Sequence, residues 1–295
     1  MSMQEENIIA SGEPYTDPRM AENGRKITLD NGRDILYCEF GAENKEIIVT
    51  GAIYFITFNE FLKELAKNFH VYGFIMRLDG DGEEKNPDGS INWTRQWGRD
   101  IYDAARKLGI GKFHYVGKCH GAMPGWYLVK EHPECLLSLS SISASLHAFP
   151  PDADEWTERQ KAEGPKFALN TMKKKENLIK KVEEAKVVGN TGFQGSQALA
   201  DMAIYGSRSE EAFFGDYEAV KAFLPTIETP VLHIFGSEDL LYYDFKTSNE
   251  YAMYHTAGAK FVMLQGEKHL MEMDMPKLLA REVSFFIEGT TLEYE

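Results

Sequence analysis

Residues 113–128 read FHYVGKCHGAMPGWYL and contain the most informative pattern of the sequence. This stretch opens with a short, mostly apolar run that predicts a buried strand. Two glycines, Gly117 and Gly121, then flank Cys119, and apolar residues at helical spacing follow. Glycine favours a sharp turn because it has no Cβ to clash. These residues therefore predict a strand, a sharp turn and a helix in immediate succession.

A strand, turn and helix in this order match the nucleophile elbow, a strained turn that aims one reactive side chain outward. Crowding in such a turn leaves room only for glycine two positions to either side, where Gly117 and Gly121 lie. Cys119 stands where the common motif has serine, so the predicted nucleophile is a thiol. The pentapeptide alone is a weak signal, since a glycine-bounded turn around a buried cysteine would have the same sequence.

Composition and charge limit the classes of partner. The chain has 295 residues, 43% of them hydrophobic and 26% charged, which is enough for one α/β domain with an insertion. A formal net charge of −14 repels phosphate backbones and anionic bilayers, so we expect neither nucleic acid nor membrane as a partner. No apolar run reaches the roughly 18–20 residues of a membrane span, and the first residues lack a signal-peptide pattern. We therefore expect a cytoplasmic protein with a small-molecule substrate, and a homodimer is compatible with the sequence.

The three cysteines give no sign of a disulfide framework or a metal site. Cys38, Cys119 and Cys135 form no CxxC pair, which argues against tetrahedral zinc. We expect Cys38 and Cys135 to be small buried hydrophobic side chains. The sequence thus predicts no metal and no cofactor.

The remaining chain predicts alternating strands and helices. Residues 25–40 alternate apolar and polar side chains around Asn31-Gly32, a strong hairpin signal. Further apolar runs predict buried strands of a parallel sheet, at residues 46–50, 70–76, 113–116, 136–143, 229–235 and 260–264. Helical spacing predicts helices at residues 58–69, 94–108, 245–255 and 277–287.

The predicted domain organisation is a core interrupted by a cap. Residues 1–24 are polar and predict an N-terminal arm, and residues 25–145 with 225–295 predict the α/β core. Residues 146–224 follow the sixth predicted strand, contain helical stretches and show no clear strand. An all-helical insertion of this length predicts a cap that roofs the site.

A thiol nucleophile needs a base to ionise it and an acid to hold the tautomer of the base. Asp239 follows a predicted strand in the sequence GSED, and His269 follows the last predicted strand in QGEKH. Taken singly, Asp239 fits equally as a helix cap, and His269 as one of eight histidines that happens to lie in a loop. Their joint occurrence after the elbow, in this order, favours a triad of Cys119, His269 and Asp239.

With these motifs the chain resembles the α/β-hydrolase fold superfamily over roughly residues 25–290. Two further stretches carry the resemblance: residues 47–52, IIVTGA, are similar to the family's HG oxyanion loop, and residues 79–82, DGDG, to its RGxG loop. The resemblance implies a mostly parallel central sheet flanked by helices. It also implies an oxyanion hole formed by the backbone N–H groups of Ala52 and His120.

The chain departs from the family pattern at two positions. Thr50 stands where the HG pair has histidine, which changes loop packing and leaves the backbone donor. Cys119 stands where serine is usual, as in members similar to dienelactone hydrolases and polyhydroxyalkanoate synthases. We expect Lys118 and the start of the following helix to lower the pKa of the Cys119 thiol.

The expected chemistry is attack on an activated carbonyl. A thiolate is a better leaving group than an alkoxide, so ordinary alkyl esters and amides are poorer substrates than activated esters, lactones, thioesters or a labile carbon–carbon bond. Because the intermediate would be a thioester, acyl transfer or condensation is an alternative to hydrolysis, and a ligand-binding protein with slow or no turnover is another. The candidate substrate contacts, most of which fit core packing as well, are Ile53, Trp93, Trp97, Lys118, Trp126 and Trp156.

Overall fold

The computed structural model describes residues 12–15, 23–53, 55, 58–77, 81–87, 89, 91–144, 162, 173, 217–239 and 256–291. Most of the predicted cap, the predicted helix at 245–255, Trp156 and part of the 79–82 loop therefore lie outside the described residues. Within them, no helix is both long enough and apolar enough to cross a membrane.

Nine strands of the described chain form one sheet. The strands are β1 (Glu13–Pro14), β2 (Gly24–Thr28), β3 (Asp34–Phe40), β4 (Ile47–Ala52), β5 (His70–Ile75), β6 (Phe113–Lys118), β7 (Leu136–Ile142), β8 (Val231–Gly236) and β9 (Lys260–Leu264). Their order across the sheet is β1-β2-β3-β5-β4-β6-β7-β8-β9. Strands β1, β2, β3 and β5 pair antiparallel in turn, and every pair from β5 through β4 to β9 is parallel.

Helices cover both faces of this sheet. They are α1 (Asn59–Leu65), α2 (Trp93–Lys107), α3 (Met123–Glu131), α4 (Tyr217–Phe223), α5 (Met271–Asp274) and α6 (Pro276–Thr291). Helices α1 and α6 pack together over one hydrophobic cluster, and α2 and α3 pack together over the other. Because both faces are covered, β5, β6 and β8 are buried along their whole length, which explains their continuous apolar runs.

The sequence predicts this architecture correctly in outline. The mostly parallel sheet with flanking helices is confirmed, and the hairpin turns where expected, with Gly32 at φ +82°. Two elements were missed. Strand β1 lies within the predicted arm, where Glu13 pairs with Lys26, so seven strands rather than six precede residue 146. Helix α5 is a single turn, and neither element is long enough to show a periodicity.

The turn after β6 is held against the end of β4. A Cβ on Gly121 would lie 2.1 Å from the carbonyl oxygen of Gly51, and one on Gly117 would lie 2.3 Å from the carbonyl oxygen of Gly121. The Tyr115 hydroxyl donates a 2.8 Å hydrogen bond to that same Gly121 oxygen. No side chain fits at either glycine, so these contacts fix the turn relative to β4.

We predict that Gly121→Ala destabilises the protein by about 2 kcal/mol or more, because the clashing atom is backbone and cannot swing away. Gly111→Ala is the matched control: a Cβ there meets no atom within 4 Å, and stability should stay within about 0.5 kcal/mol of wild type. Urea unfolding followed by circular dichroism measures both. Equal stability of the two variants would contradict the crowding at the turn.

Candidate active site

Cys119 begins the turn that joins β6 to α3. It has φ +54°, a left-handed conformation that a side chain rarely adopts, and it opens a one-turn 3₁₀ helix, Cys119–Ala122. Such a conformation costs of order 1 kcal/mol or more and persists only where the surroundings enforce it. The strand, sharp turn and helix expected from residues 113–128 are therefore all observed, with the strain concentrated at the cysteine.

Asp239 and His269 form a buried pair in the loops after β8 and β9. His269 Nδ1–H donates to Asp239 Oδ2 at 2.8 Å, and their exposed fractions are 0% for His269 and 3% for Asp239. An ionised carboxylate can only accept a hydrogen bond, so the Nδ1 proton lies between the two residues and Nε2 is turned away from Asp239. The structure thus brings together the two residues that the sequence proposed as acid and base.

Backbone hydrogen bonds hold these two loops to each other. The Ser237 N–H donates to Leu264 O at 3.1 Å, and the Glu238 N–H donates to Glu267 O at 2.9 Å. The Gly266 N–H donates to Ser237 Oγ at 2.8 Å. Because these bonds join the two loops just before the acid and the histidine, the fold preorganises the Asp239–His269 geometry.

Two histidines act on the thiol of Cys119. The sulfur lies 3.6 Å from His120 Nδ1, and His269 also contributes charge and hydrogen bonding to the thiol. Burial tends to raise the pKa of Cys119, but the charges of His120 and then His269 outweigh it and hold the pKa well below the usual value of a thiol. The same chain offers a contrast, because burial alone raises the pKa of Cys38 to about 12.

The pKa of His269 moves in the opposite direction. Burial is the largest single influence and tends to lower the pKa, but the charge of Asp239, the charge of Cys119 and the hydrogen bond to Asp239 together raise it above its ordinary value. A thiolate forms as pH rises through the lowered pKa of Cys119, and the imidazolium is lost as pH rises through the raised pKa of His269. The two shifts act in the same sense, since each favours the charged form of its own group, a thiolate on Cys119 and an imidazolium on His269.

Lys118, which was expected to contact the substrate, forms a buried ion pair with Glu272. Its Nζ lies 3.0 Å from Glu272 Oε2, and the two side chains are 2% and 0% exposed. A lysine that is buried and paired in this way is not available to contact a substrate, which corrects that expectation. Its charge acts on His269, whose pKa it lowers.

Two of the candidate tryptophans belong to the core. The Trp97 indole N–H donates to Arg77 O at 2.6 Å, and the Trp126 indole N–H donates to Ser141 Oγ at 3.0 Å. Trp126 also stacks on His233 inside the sheet–helix layer. Both rings are buried, so the expectation that they contact substrate is wrong, and the core-packing alternative holds for them.

Ile53 and Trp93 remain partly exposed beside the end of β4. Both pack against a small cluster of Met76 and Trp97, and the Arg77 guanidinium lies 5.4 Å from the centre of the Trp93 ring. This cluster supplies an apolar wall next to the candidate oxyanion loop. Trp156, the last candidate, lies outside the described residues.

The two expected oxyanion donors lie at the same edge of the sheet. Ala52 ends β4 and follows Gly51, whose carbonyl contacts Gly121, while His120 follows Cys119 in the turn. Thr50, which replaces the family's histidine, is buried within the strand. In the described part of the chain, no group of three or more His, Cys, Asp or Glu side chains is arranged to hold a metal ion.

Sequence reasoning missed two side chains: His120, which lies near the thiol, and Glu272, which is paired with Lys118. It assigned His120 only a backbone role, although the position next to the nucleophile was already a signal that its imidazole could reach the sulfur. Glu272 carried no signal, because its one-turn helix matches no motif and its partner Lys118 is remote in sequence.

We predict that iodoacetamide labels Cys119 selectively at pH 7, with an apparent pKa below the roughly 8.5 of a free cysteine. Cys38 and Cys135 are the internal controls, since both are buried and burial raises the pKa of each thiol to about 12. Peptide mass spectrometry of the labelled native protein, repeated across pH, gives all three rates. Labelling of Cys119 that rises only above pH 8.5 would contradict the thiolate–imidazolium pair.

Comparison with known proteins places this arrangement among established folds. Similar solved structures include a hydrolase from Pseudomonas aeruginosa PA01, with 19% identity, a TM-score of 0.62, and coverage of 90% of this chain and 99% of that one. The enol-lactonase from Burkholderia xenovorans LB400 has 15% identity, a TM-score of 0.62, and coverage of 89% and 99%. MGS-M2, an α/β hydrolase enzyme from a Medee basin deep-sea metagenome library, has 20% identity, a TM-score of 0.64, and coverage of 92% and 99%.

At these identities the structural neighbours show the fold alone, and no curated protein matches the chain significantly. The family described as α/β hydrolase fold matches residues 50–274, which is well over half of the chain. This span contains Ala52, the Cys119 turn and the Asp239–His269 pair. The chain is therefore a member of the α/β hydrolase fold family.

Proposed function

We propose that this protein is a hydrolase of small activated carbonyl compounds, with Cys119 as nucleophile, His269 as general base and acid, and Asp239 as the residue that orients the histidine. The substrate class is an activated ester, a lactone, a thioester or a labile carbon–carbon bond. The observation that carries the proposal is a strained cysteine whose pKa is lowered by histidines, one of which is held by a buried carboxylate.

The first half-reaction forms a thioester. The Cys119 thiolate attacks the carbonyl carbon, and the developing oxyanion accepts hydrogen bonds from the backbone N–H groups of Ala52 and His120. The tetrahedral adduct collapses, the bond to the leaving group breaks, and His269 Nε2–H delivers its proton to that group. Asp239 stabilises the imidazolium until the proton has moved.

The second half-reaction returns the free enzyme. His269, now neutral, takes a proton from water as the water oxygen attacks the thioester carbonyl. The C–S bond then breaks, the acid product leaves, and the proton on His269 restores the ion pair with the Cys119 thiolate. Each step conserves atoms and charge, and no cofactor is required.

The thiol itself supports the restriction to activated substrates. An adduct that carries both a thiolate and an alkoxide leaving group expels the thiolate more readily and reverts to substrate. A lactone of an enol, an aryl ester or a thioester offers a leaving group of lower basicity, and collapse goes forward. The titles of two structural neighbours name an enol-lactonase and an N-acyl homoserine lactone degrading enzyme, which makes lactones the first class to assay.

We predict that His269→Ala lowers kcat/KM by about 10³-fold or more on whichever lactone, aryl ester or acyl thioester the wild type hydrolyses, because thiolate formation and leaving-group protonation are both lost. His132→Ala is the control: His132 lies after α3 and stacks on Tyr102, so activity should be retained. Steady-state hydrolysis assays on the same panel measure both. A His269→Ala activity within tenfold of wild type would refute the assignment of the base.

We also predict that Cys119→Ser slows the hydrolysis of thioesters and lactones by at least tenfold, because a hydroxyl must be deprotonated during attack whereas the thiol is ionised beforehand. The ratio of alkyl-ester to thioester activity should rise in the serine variant, since an alkoxide leaves as easily as the serine oxygen. Parallel kcat/KM measurements give this ratio. A serine variant that is faster on every substrate would point to a binding protein whose cysteine disables hydrolysis.

A further inference from the structure

The buried ion pair between Lys118 and Glu272 joins the two halves of the proposed site. Lys118 is the last residue of β6 and immediately precedes Cys119, and Glu272 lies in α5, three residues after His269. Strands β6 and β9 are separated in the sheet by β7 and β8, so no backbone ladder joins them directly. The Lys118–Glu272 contact therefore spans a gap that the sheet hydrogen bonds leave open.

This pair is costly as a purely structural element. Removing two charges from water costs several kcal/mol per ion, and apolar replacements of similar volume are often neutral or stabilising. Beyond the contact with Lys118, neither carboxylate oxygen of Glu272 has a hydrogen-bond partner among the described residues. Because the hydrogen-bonding capacity of the Glu272 carboxylate is not fully used, the pair is an even weaker stabilising element. Lys118 lies next to Cys119 in the chain, which suggests that the pair acts on the proposed site.

We propose that Lys118 and Glu272 are positioning residues, which hold the Cys119 turn and the His269 loop together and set the protonation of His269 with two opposed charges. This inference rests on the proposed function, in which His269 acts as base and acid. It adds a second carboxylate, Glu272, and a cation, Lys118, to the site. These two charges set the protonation of the His269 imidazole and do not contact the substrate.

The charges that face His269 determine the sign of the expected effects. Among the described residues, Asp239 acts on it from the loop after β8, Cys119 from the turn and Lys118 from β6, while Glu272 on α5 is paired with Lys118. Asp239 and Cys119 raise the pKa of His269, whereas Lys118 lowers it. Removing the cation should therefore raise the pKa of the histidine, and removing the Glu272 carboxylate, which leaves the cation unbalanced, should lower it.

The test uses the full chain in a Cys119→Ala background, where no thiolate is present and no catalysis is needed. The ring signals of His269 are assigned by comparison with His269→Gln and titrated by NMR. Lys118→Met should raise the midpoint by about one pH unit and Glu272→Gln should lower it by a similar amount. Lys118→Arg keeps the charge and should leave the midpoint within about 0.3 unit of the parent.

Shifts in the same direction, or no shift from either single variant, would overturn the proposal. Breaking a buried pair can itself unfold a protein, so a second variant covers that outcome: Lys118→Met/Glu272→Leu, with both charges removed, should fold. When Cys119 is kept in this folded double variant, its rate of labelling by iodoacetamide at pH 7 should fall at least tenfold, because the pair no longer holds the Cys119 turn and the His269 loop together. Unchanged labelling there would also overturn the positioning role.

These outcomes are distinct from those that test the proposed function. If His269→Ala retained hydrolysis while the two single variants shifted the His269 titration in opposite directions, the triad would fail and the charge balance would stand. If the triad were supported and the titration did not move, the ion pair would be only a structural element of the core.

Discussion

The turn after β6 packs so tightly against the end of β4 that it fixes the position and the backbone conformation of Cys119. Gly121 fits against the Gly51 carbonyl only because it has no side chain. The Tyr115 hydroxyl stabilises this contact by donating a hydrogen bond to the Gly121 carbonyl oxygen. The close approach forces the chain to reverse within a few residues, and Cys119 absorbs the reversal in a left-handed conformation. Packing within the two buried clusters sustains that strain, so the fold itself holds Cys119 and the end of β4 in place.

The charges around Cys119 then determine the pKa of its thiol. Three thiols of one chain have opposite tendencies: burial raises the pKa of Cys38 and Cys135, whereas two histidines lower that of Cys119. The residue type is therefore less informative than the charges around it. The same holds for His269, since burial tends to lower the pKa of its imidazole and the neighbouring charges of Asp239 and Cys119 together raise it.

Sequence reasoning succeeded where the signal was local. The glycines around Cys119, the apolar runs before each loop and the order of Cys119, Asp239 and His269 are all readable in short windows. It failed where the outcome depends on residues remote in sequence. Lys118 lies beside the nucleophile in the chain, yet its partner Glu272 is reached only after the sheet has formed. The sequence shows that Trp126 has an aromatic ring that could line a pocket. It does not show that the ring is buried against His233 in the core.

The proposed mechanism also bears on the substrate class. If the thiolate exists before attack, as proposed, the barrier to forming the tetrahedral adduct contains no separate deprotonation step. The discriminating step is therefore collapse of the adduct, where the substrate's leaving group competes with the Cys119 sulfur. A neutral leaving group needs the proton on His269, and that proton is held more firmly because Asp239 and Cys119 raise the pKa of the imidazole. A firmly held proton favours leaving groups that depart with little proton transfer, such as enolates, phenolates and thiolates. On this reasoning the charges around one imidazole select activated acyl compounds, independently of the shape of the pocket that binds them.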